Sequence, residues 1–276
     1  MPQENASTLS ELQGKYDTLR ESIAALDGAV VAFSGGVDSA VLLKVAHEAL
    51  GENVIAATVR SGFYPERETS AAAEFCEEEG IEHVIVDVDE LTIPGIAENP
   101  PDRCYLCKSN LLGRLFELAA ERGLGHVLEG SNADDLGDYR PGRRAVEELG
   151  AESPLLDHGF TKDDVRLLAL SLGLDCWDKP STACLASRFA YGEGLTAERL
   201  AMVDEAERLL SEAGFEQLRV RVHGDLARIE VPTDELGDLL DFSVRTGYPA
   251  RLHELGFAFV TMDLEGFKSG SMNATL

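Results

Sequence analysis

The chain has 276 residues, is 44% hydrophobic, and carries 50 Asp and Glu against 24 Lys and Arg, a net charge of −26. That length suits two domains, and the apolar fraction is enough for a sizeable core. Acid spread along the whole chain describes a solvated surface, of the kind a high-salt cytoplasm favours, and argues against a nucleic-acid partner, which needs a basic stripe.

No apolar run is long enough to cross a bilayer, so no membrane role is expected. Met1 to Leu19 is polar, unlike a secretory leader, and a cytoplasmic chain with reduced thiols is expected. Five cysteines then point to metal or catalysis before disulfides.

Leu12, Tyr16, Leu19 and Ile23 recur at helical spacing, predicting an amphipathic helix over 9–26. Val30-Val31-Ala32-Phe33 reads as a short buried strand, and Ala40 onward as an apolar helix. Between them stands Ser34-Gly35-Gly36-Val37-Asp38-Ser39. Two glycines allow a tight turn with outward N–H groups at a helix start, a ready site for phosphate. Ser34 and Ser39 add hydroxyls. Asp38 has the wrong charge for a phosphate cradle unless it holds Mg²⁺ over the phosphates. The plainer alternative is a strand-to-helix turn capped by Asp38. The Gly-Lys-Ser/Thr ending of the common P-loop is missing.

Further strands are predicted over 53–59, 82–88 and 126–128, with helices over 65–79 and 109–122. This alternation implies βαβ units and a mostly parallel sheet, with ligands at the strands' carboxyl ends. Cys76 reads as a core residue. Cys104 and Cys107 lie three apart at the loop–helix junction before residue 109. Such a pair suits redox chemistry, zinc or plain core packing, and cannot complete a tetrahedral site alone. After the fourth strand, Glu129 to Gly142 is a long polar turn whose carboxylates can hold Mg²⁺, Glu129 being favoured. Thr161 and Asp164 read as a capping box for a helix to Ser171. In Trp177 to Gly192, Cys184 stands near Lys179 and Arg188, which would favour a reactive thiolate; the alternative is a small buried residue in a loop. Cys176 reads as structural.

From Leu195 the character changes. Thr196 caps a helix to about Ala213. Leu218, Val220 and Val222 alternate with Arg219 and Arg221, Gly224-Asp225 is a hairpin turn, and 227–231 pairs back. A helix over 235–245 and a strand over 258–263 complete a small α+β domain. Arg219 and Arg221 form either a solvated strand face or a cationic face for an anionic substrate. The expected division is 1–192 and 193–276.

The loop at Ser34–Ser39 resembles the SGGxDS pyrophosphate loop of the N-type ATP pyrophosphatases. The chain is similar to one branch, the LarE-type sulfur transferases, on the loop together with Arg103-Cys104-Tyr105-Leu106-Cys107-Lys108, Gly130 to Asp135, Asp138 to Gly142, Lys179 to Arg188, and Arg219-Val220-Arg221. The resemblance implies an adenine nucleotide alpha hydrolase-like sheet. It implies adenylation of pyridinium-3,5-biscarboxylate mononucleotide with ATP and Mg²⁺, then displacement of AMP by sulfur, in making the nickel-pincer nucleotide cofactor. Ser34, Gly35, Gly36, Val37, Asp38 and Ser39 would take the phosphates and Mg²⁺. Thr58, Arg60 and Gly130 would border adenine and ribose. Arg188, Arg219 and Arg221 would meet the substrate. One version of the family sacrifices a single cysteine; another binds a [4Fe-4S] cluster through three. Cys104, Cys107 and Cys184 match the second. A sulfide donor and a homo-oligomer are implied. The competing readings are a tRNA thiolase and an ATP-binding sensor without catalysis.

Overall fold

The computed structural model describes residues 2–137, 141–180, 182–268 and 270–272, with 2–9 as backbone alone. Asp138, Tyr139 and Arg140 of the polar turn, and Ser181 beside the Cys184 stretch, lie outside the described residues. The chain divides into two compact units: residues 1–61, 66–88 and 104–181, and residues 62–65, 89–103 and 182–276.

The first unit contains α1 (Pro2–Ala24), β1 (Ala29–Ala32), α2 (Val37–Leu50), β2 (Val54–Arg60), α3 (Glu66–Glu79), β3 (Glu82–Asp87), α4 (Arg103–Arg122), β4 (His126–Leu128), α5 (Gly142–Leu149), α6 (Pro154–Asp157) and α7 (Lys162–Ser171). Its four strands are all parallel, in the order β3-β2-β1-β4. The expected mostly parallel α/β sheet is therefore what forms. β1 is apolar throughout because it is covered on both faces. Successive side chains alternate between them: Val31 packs with Leu19, Leu42 and Leu168, while Val30 packs with Ile55, Leu112 and Val127.

α4 starts at Arg103, six residues before the expected Ser109. Cys104 and Cys107 therefore lie within its first turns, not ahead of it. The polar string around Lys108-Ser109-Asn110 hides the helix from a periodicity reading, whereas Leu112, Leu115 and Ala119, all buried, reveal it. α5 and α6 were not expected. α6 is a single turn, too short to carry a period, and α5 follows directly on the polar turn.

The second unit holds α8 (Ala197–Glu212), β5 (Arg219–His223), β6 (Leu226–Glu230), α9 (Leu236–Thr246), α10 (Tyr248–Leu255) and β7 (Phe259–Met262). The sheet order is β5-β6-β7, with β5 and β6 antiparallel and β6 and β7 parallel. The Thr196 hydroxyl caps α8 by accepting from the Arg199 N–H. α10 was not expected. Gly247, at φ +71°, ends α9 and begins α10, a conformation that glycine adopts without strain. The Tyr248 hydroxyl donates to the Ala206 carbonyl at 2.9 Å, tying α10 to α8. Among the described residues no helix is long and apolar enough to cross a membrane.

Candidate active site

The loop after β1 is held by its own hydroxyls. Ser34 N–H donates to Ser39 Oγ at 3.2 Å, the two hydroxyls lie 3.1 Å apart, and Ser39 Oγ donates to the Gly36 carbonyl at 3.0 Å. Gly35 takes φ +71°, which turns the chain into α2. No side chain caps that helix: Gly36 is the N-cap and Asp38 lies in the first turn. The plain reading of Asp38 as a cap is thus not what the chain builds. Gly130 crosses close to this turn, where a Cβ would stand 3.0 Å from Ser39 N and 3.3 Å from the Asp38 carbonyl carbon. Lys179 Nζ reaches the Gly35 carbonyl at 3.2 Å and the Glu68 carboxylate at 2.8 Å.

Asp38 has one partner on each oxygen. Oδ1 accepts from Asn132 Nδ2 at 2.9 Å, and Oδ2 from Lys162 Nζ at 2.5 Å. This geometry suits Mg²⁺, since the carboxylate already takes a cation and offers hard oxygen. Glu129, expected beside it as a second Mg²⁺ ligand, is differently occupied. It is buried and accepts from Lys108 Nζ at 2.6 Å, Ser131 N–H at 3.1 Å, Ser131 Oγ at 2.9 Å and Ser153 Oγ at 2.5 Å. Burial raises its pKa, but the Lys108 charge and these hydrogen bonds outweigh that and hold the carboxyl below its usual range. Its oxygens serve the turn and α4 in place of presenting a lone pair to a metal.

At the carboxyl end of β2, buried Thr58 donates to the Phe33 carbonyl at 2.8 Å, and His83 Nε2 lies 2.8 Å from the same hydroxyl. A hydroxyl has one proton, so the second bond requires the hydrogen on Nε2 of His83. Burial lowers the His83 pKa, which keeps the ring neutral. Arg60 forms a two-point ion pair with Asp87 at 2.6 and 2.9 Å on the exposed surface. Sequence reasoning did not assign Lys162, Asn132, Lys108, Ser153 or His83 to the site. Their partners lie 21 to 124 residues away, so nothing local pairs them, although Lys108 and Asn132 stand within the strings that carry the resemblance.

None of the five cysteines is in a disulfide; Cys104 is exposed, and Cys107 and Cys184 are partly buried. Cys104 and Cys107 share one face of α4, three residues apart. Thiol donors on one helical face suit iron–sulfur ligation in kind. Among the described residues no group of three His, Cys, Asp or Glu side chains is placed to hold a metal ion.

In the second unit, the three expected arginines come together. Arg188 is buried and grips Glu207 at two points, 2.9 and 2.8 Å. Its third nitrogen donates to the Ala183 and Cys184 carbonyls at 2.8 and 3.1 Å, so it shapes the Cys184 loop. Arg221 is buried against Glu230 at 3.0 Å, and Glu230 also meets Arg228 at 3.3 Å. Arg219 stacks over Phe267 at 5.2 Å. Burial, then repulsion by Arg188, push its pKa down to about 10. It stays charged at neutral pH, in surroundings that favour an added anion. The solvated-face alternative is excluded for Arg221: that face of β5 is covered, and its charge is matched inside.

Residues 28–97 match the family described as queuosine biosynthesis protein QueC. Over 269 residues the chain is 42% identical to the pyridinium-3,5-bisthiocarboxylic acid mononucleotide synthase of Lactiplantibacillus plantarum, spanning 97% of each chain. It is also 42% identical over 266 residues to an uncharacterized protein of Synechocystis sp., spanning 96% of this chain and 99% of that one. A glutamine-hydrolyzing GMP synthase subunit from Thermoplasma volcanium is 28% identical over 216 residues, spanning 71% of this chain and 68% of its own.

Proposed function

The chain belongs to the LarE-type sulfur transferases of the PP-loop group, and from that premise we propose that it uses ATP to adenylate a carboxylate of pyridinium-3,5-biscarboxylate mononucleotide and then replaces AMP with sulfur. The observation that carries this reading is 42% identity over 97% of both chains to a synthase named for the bisthiocarboxylic acid product. The product would feed the nickel-pincer nucleotide cofactor.

A carboxylate is a poor electrophile. In the first step its oxygen attacks the α-phosphorus, and pyrophosphate leaves with the bonding electrons. The resulting mixed anhydride carries AMP as a good leaving group. A sulfur nucleophile then attacks the acyl carbon and AMP departs. Ser34 to Ser39 bind the phosphates through backbone N–H groups and two hydroxyls. Asp38 would hold Mg²⁺, which offsets phosphate charge. Thr58, Arg60 and Gly130 border the adenosine. Arg219 would meet the substrate's anionic groups, whereas Arg188 and Arg221, expected beside it, are buried against Glu207 and Glu230 and act by positioning, Arg188 also fixing the Cys184 loop. Cys104, Cys107 and Cys184 would hold a [4Fe-4S] cluster, which supplies an open iron for a donated sulfide. We assign residues 1–192 to nucleotide chemistry and 193–276 to substrate contacts and assembly of a cytoplasmic homo-oligomer.

The test is incubation with ATP, Mg²⁺, the biscarboxylate mononucleotide and sulfide. Substrate-dependent pyrophosphate and a thiocarboxylate by mass spectrometry are expected; pyrophosphate release indifferent to substrate would sink the reading. Asp38→Ala should lose AMP formation while keeping its fold. Cys104→Ala should keep AMP formation and lose sulfur transfer. A full yield of thiocarboxylate from that variant would leave Cys184 acting alone.

A further inference from the structure

We propose that Lys162 is a place-holder cation. It occupies Asp38 while the nucleotide site is empty, keeps free divalent cations off that carboxylate, and moves to the phosphates when a metal–nucleotide complex arrives. This rests on the proposed ATP chemistry of the Ser34–Ser39 loop.

The geometry separates a fixed part from a movable one. Asn132 holds Asp38 Oδ1 at 2.9 Å and is itself 5% exposed. Its N–H donates to Asp135, and its side-chain oxygen accepts from the Asp134 N–H, both at 3.0 Å. Asp38 therefore keeps its position whichever cation sits on Oδ2. Lys162 is anchored only at its backbone. It is the first residue of α7, its N–H donates to Asp134 at 2.9 Å, and the Thr161–Asp164 capping box fixes the turn. Asp164 is in turn held by Lys15 at 2.7 Å, and Val165, Leu168 and Ala169 bury α7 in the core with Leu42 and Leu43 of α2. The ammonium ends a flexible four-carbon stem on this rigid base, and the pair it forms is 28% and 23% exposed.

Charge explains why a place-holder is useful. Asp38 stands beside the turn that carries Asp134 and Asp135. Without Lys162 this would be an acidic group open to any divalent cation. With Lys162 in place the carboxylate is already neutralised. When metal and polyphosphate enter together, the metal takes Asp38 and the ammonium takes a phosphate oxygen. One ion pair is exchanged for two, and no half-buried charge is left alone at either stage.

The experiment uses the full chain and needs no turnover. Mn²⁺ alone is titrated by electron paramagnetic resonance, and ATP with excess Mg²⁺ by calorimetry, for the parent and Lys162→Met. The variant should bind Mn²⁺ alone about tenfold more tightly and ATP about tenfold more weakly, the scale of one charge-assisted hydrogen bond. Adding Asp38→Asn to the variant should abolish the gained Mn²⁺ affinity. Unchanged Mn²⁺ binding, or affinities for Mn²⁺ and ATP that fall together, would overturn the place-holder and leave Lys162 a structural partner. Lys162→Gln replaces Lys162→Met should the latter fail to fold. A parent that binds Mn²⁺ but no ATP would overturn the nucleotide reading instead. The Mn²⁺ comparison then decides the place-holder by itself.

Discussion

The loop at Ser34–Ser39 is built from backbone and two hydroxyls, and its one charge, Asp38, is matched by a flexible lysine at 2.5 Å. The region around Arg188 is built the other way. It gathers Arg188, Arg219, Arg221 and Arg228 about Glu207 and Glu230, both nearly inaccessible. A neutral cradle costs little to fold and depends on close backbone approach. A buried ionic cluster is costly to desolvate and depends on every partner being present. The two regions should therefore fail differently.

The largest effect is expected at the ionic cluster. Arg188→Ala strips buried Glu207 of its two-point partner and leaves it the Val220 N–H at 2.9 Å and the charges of Arg219 and Arg221. Urea unfolding should show a loss of about 3–5 kcal/mol. A loss under about 1 kcal/mol would mean the pair behaves like a surface contact and would erase the contrast. The cradle should instead be sensitive to a methyl group. Gly130→Ala brings a Cβ against the Ser39 and Asp38 backbone, which cannot swing away as a side chain can. A cost of about 1–3 kcal/mol in thermal melts, with weakened ATP binding by calorimetry, is expected.

Acid sharpens the comparison through Glu129, which ties the cradle's neighbouring turn to α4. Its native pKa lies below the ordinary 4.5. Between the two values the unfolded chain binds more protons, so stability present above about pH 4.5 is lost as pH falls through the native pKa. Glu129→Gln should lower stability at pH 7 and flatten its loss below about pH 4.5; parallel parent and variant curves across that range would contradict this. The smallest effect belongs to the cap below Lys162. Thr161→Ala should cost about 1 kcal/mol, read from the shift of the urea midpoint.

The same contrast explains what could be read from the chain. The cradle is contiguous, so its six residues announce themselves. The parallel sheet is legible because β1, β2 and β4 are apolar runs spaced by helices. The hairpin of β5 and β6 is legible from Gly224 and period-two alternation. That alternation shows which residues share a face, however, and not what covers it. Hence the sequence alone leaves Arg221 between solvent and substrate, while Glu230 waits on the next strand and Glu207 on α8. Lys162 lies 124 residues from Asp38. Nothing local marks the pair, and Thr161 and Asp164 draw attention to Lys162 only as part of a helix start. The early start of α4 was missed for a related reason. Arg103 is polar by type yet buried, bonded to Asn99 and to the Ala186 carbonyl.

The division of the chain has a consequence for how the molecule is made. The backbone passes between units at 61/62, 65/66, 88/89, 103/104 and 181/182. On a ribosome, β1 emerges early but must wait for residue 126 before β4 can close its open edge. Phe63 and Ile96, both buried in the finished protein, must wait longer still, for partners beyond residue 182 such as the Leu185 N–H that bonds the Phe63 carbonyl at 2.8 Å. A nascent chain halted near residue 181 would hold two apolar segments with nowhere to go, and so would any fragment cut there. Neither half is a severable part, and a gene split at that boundary would yield two incomplete pieces.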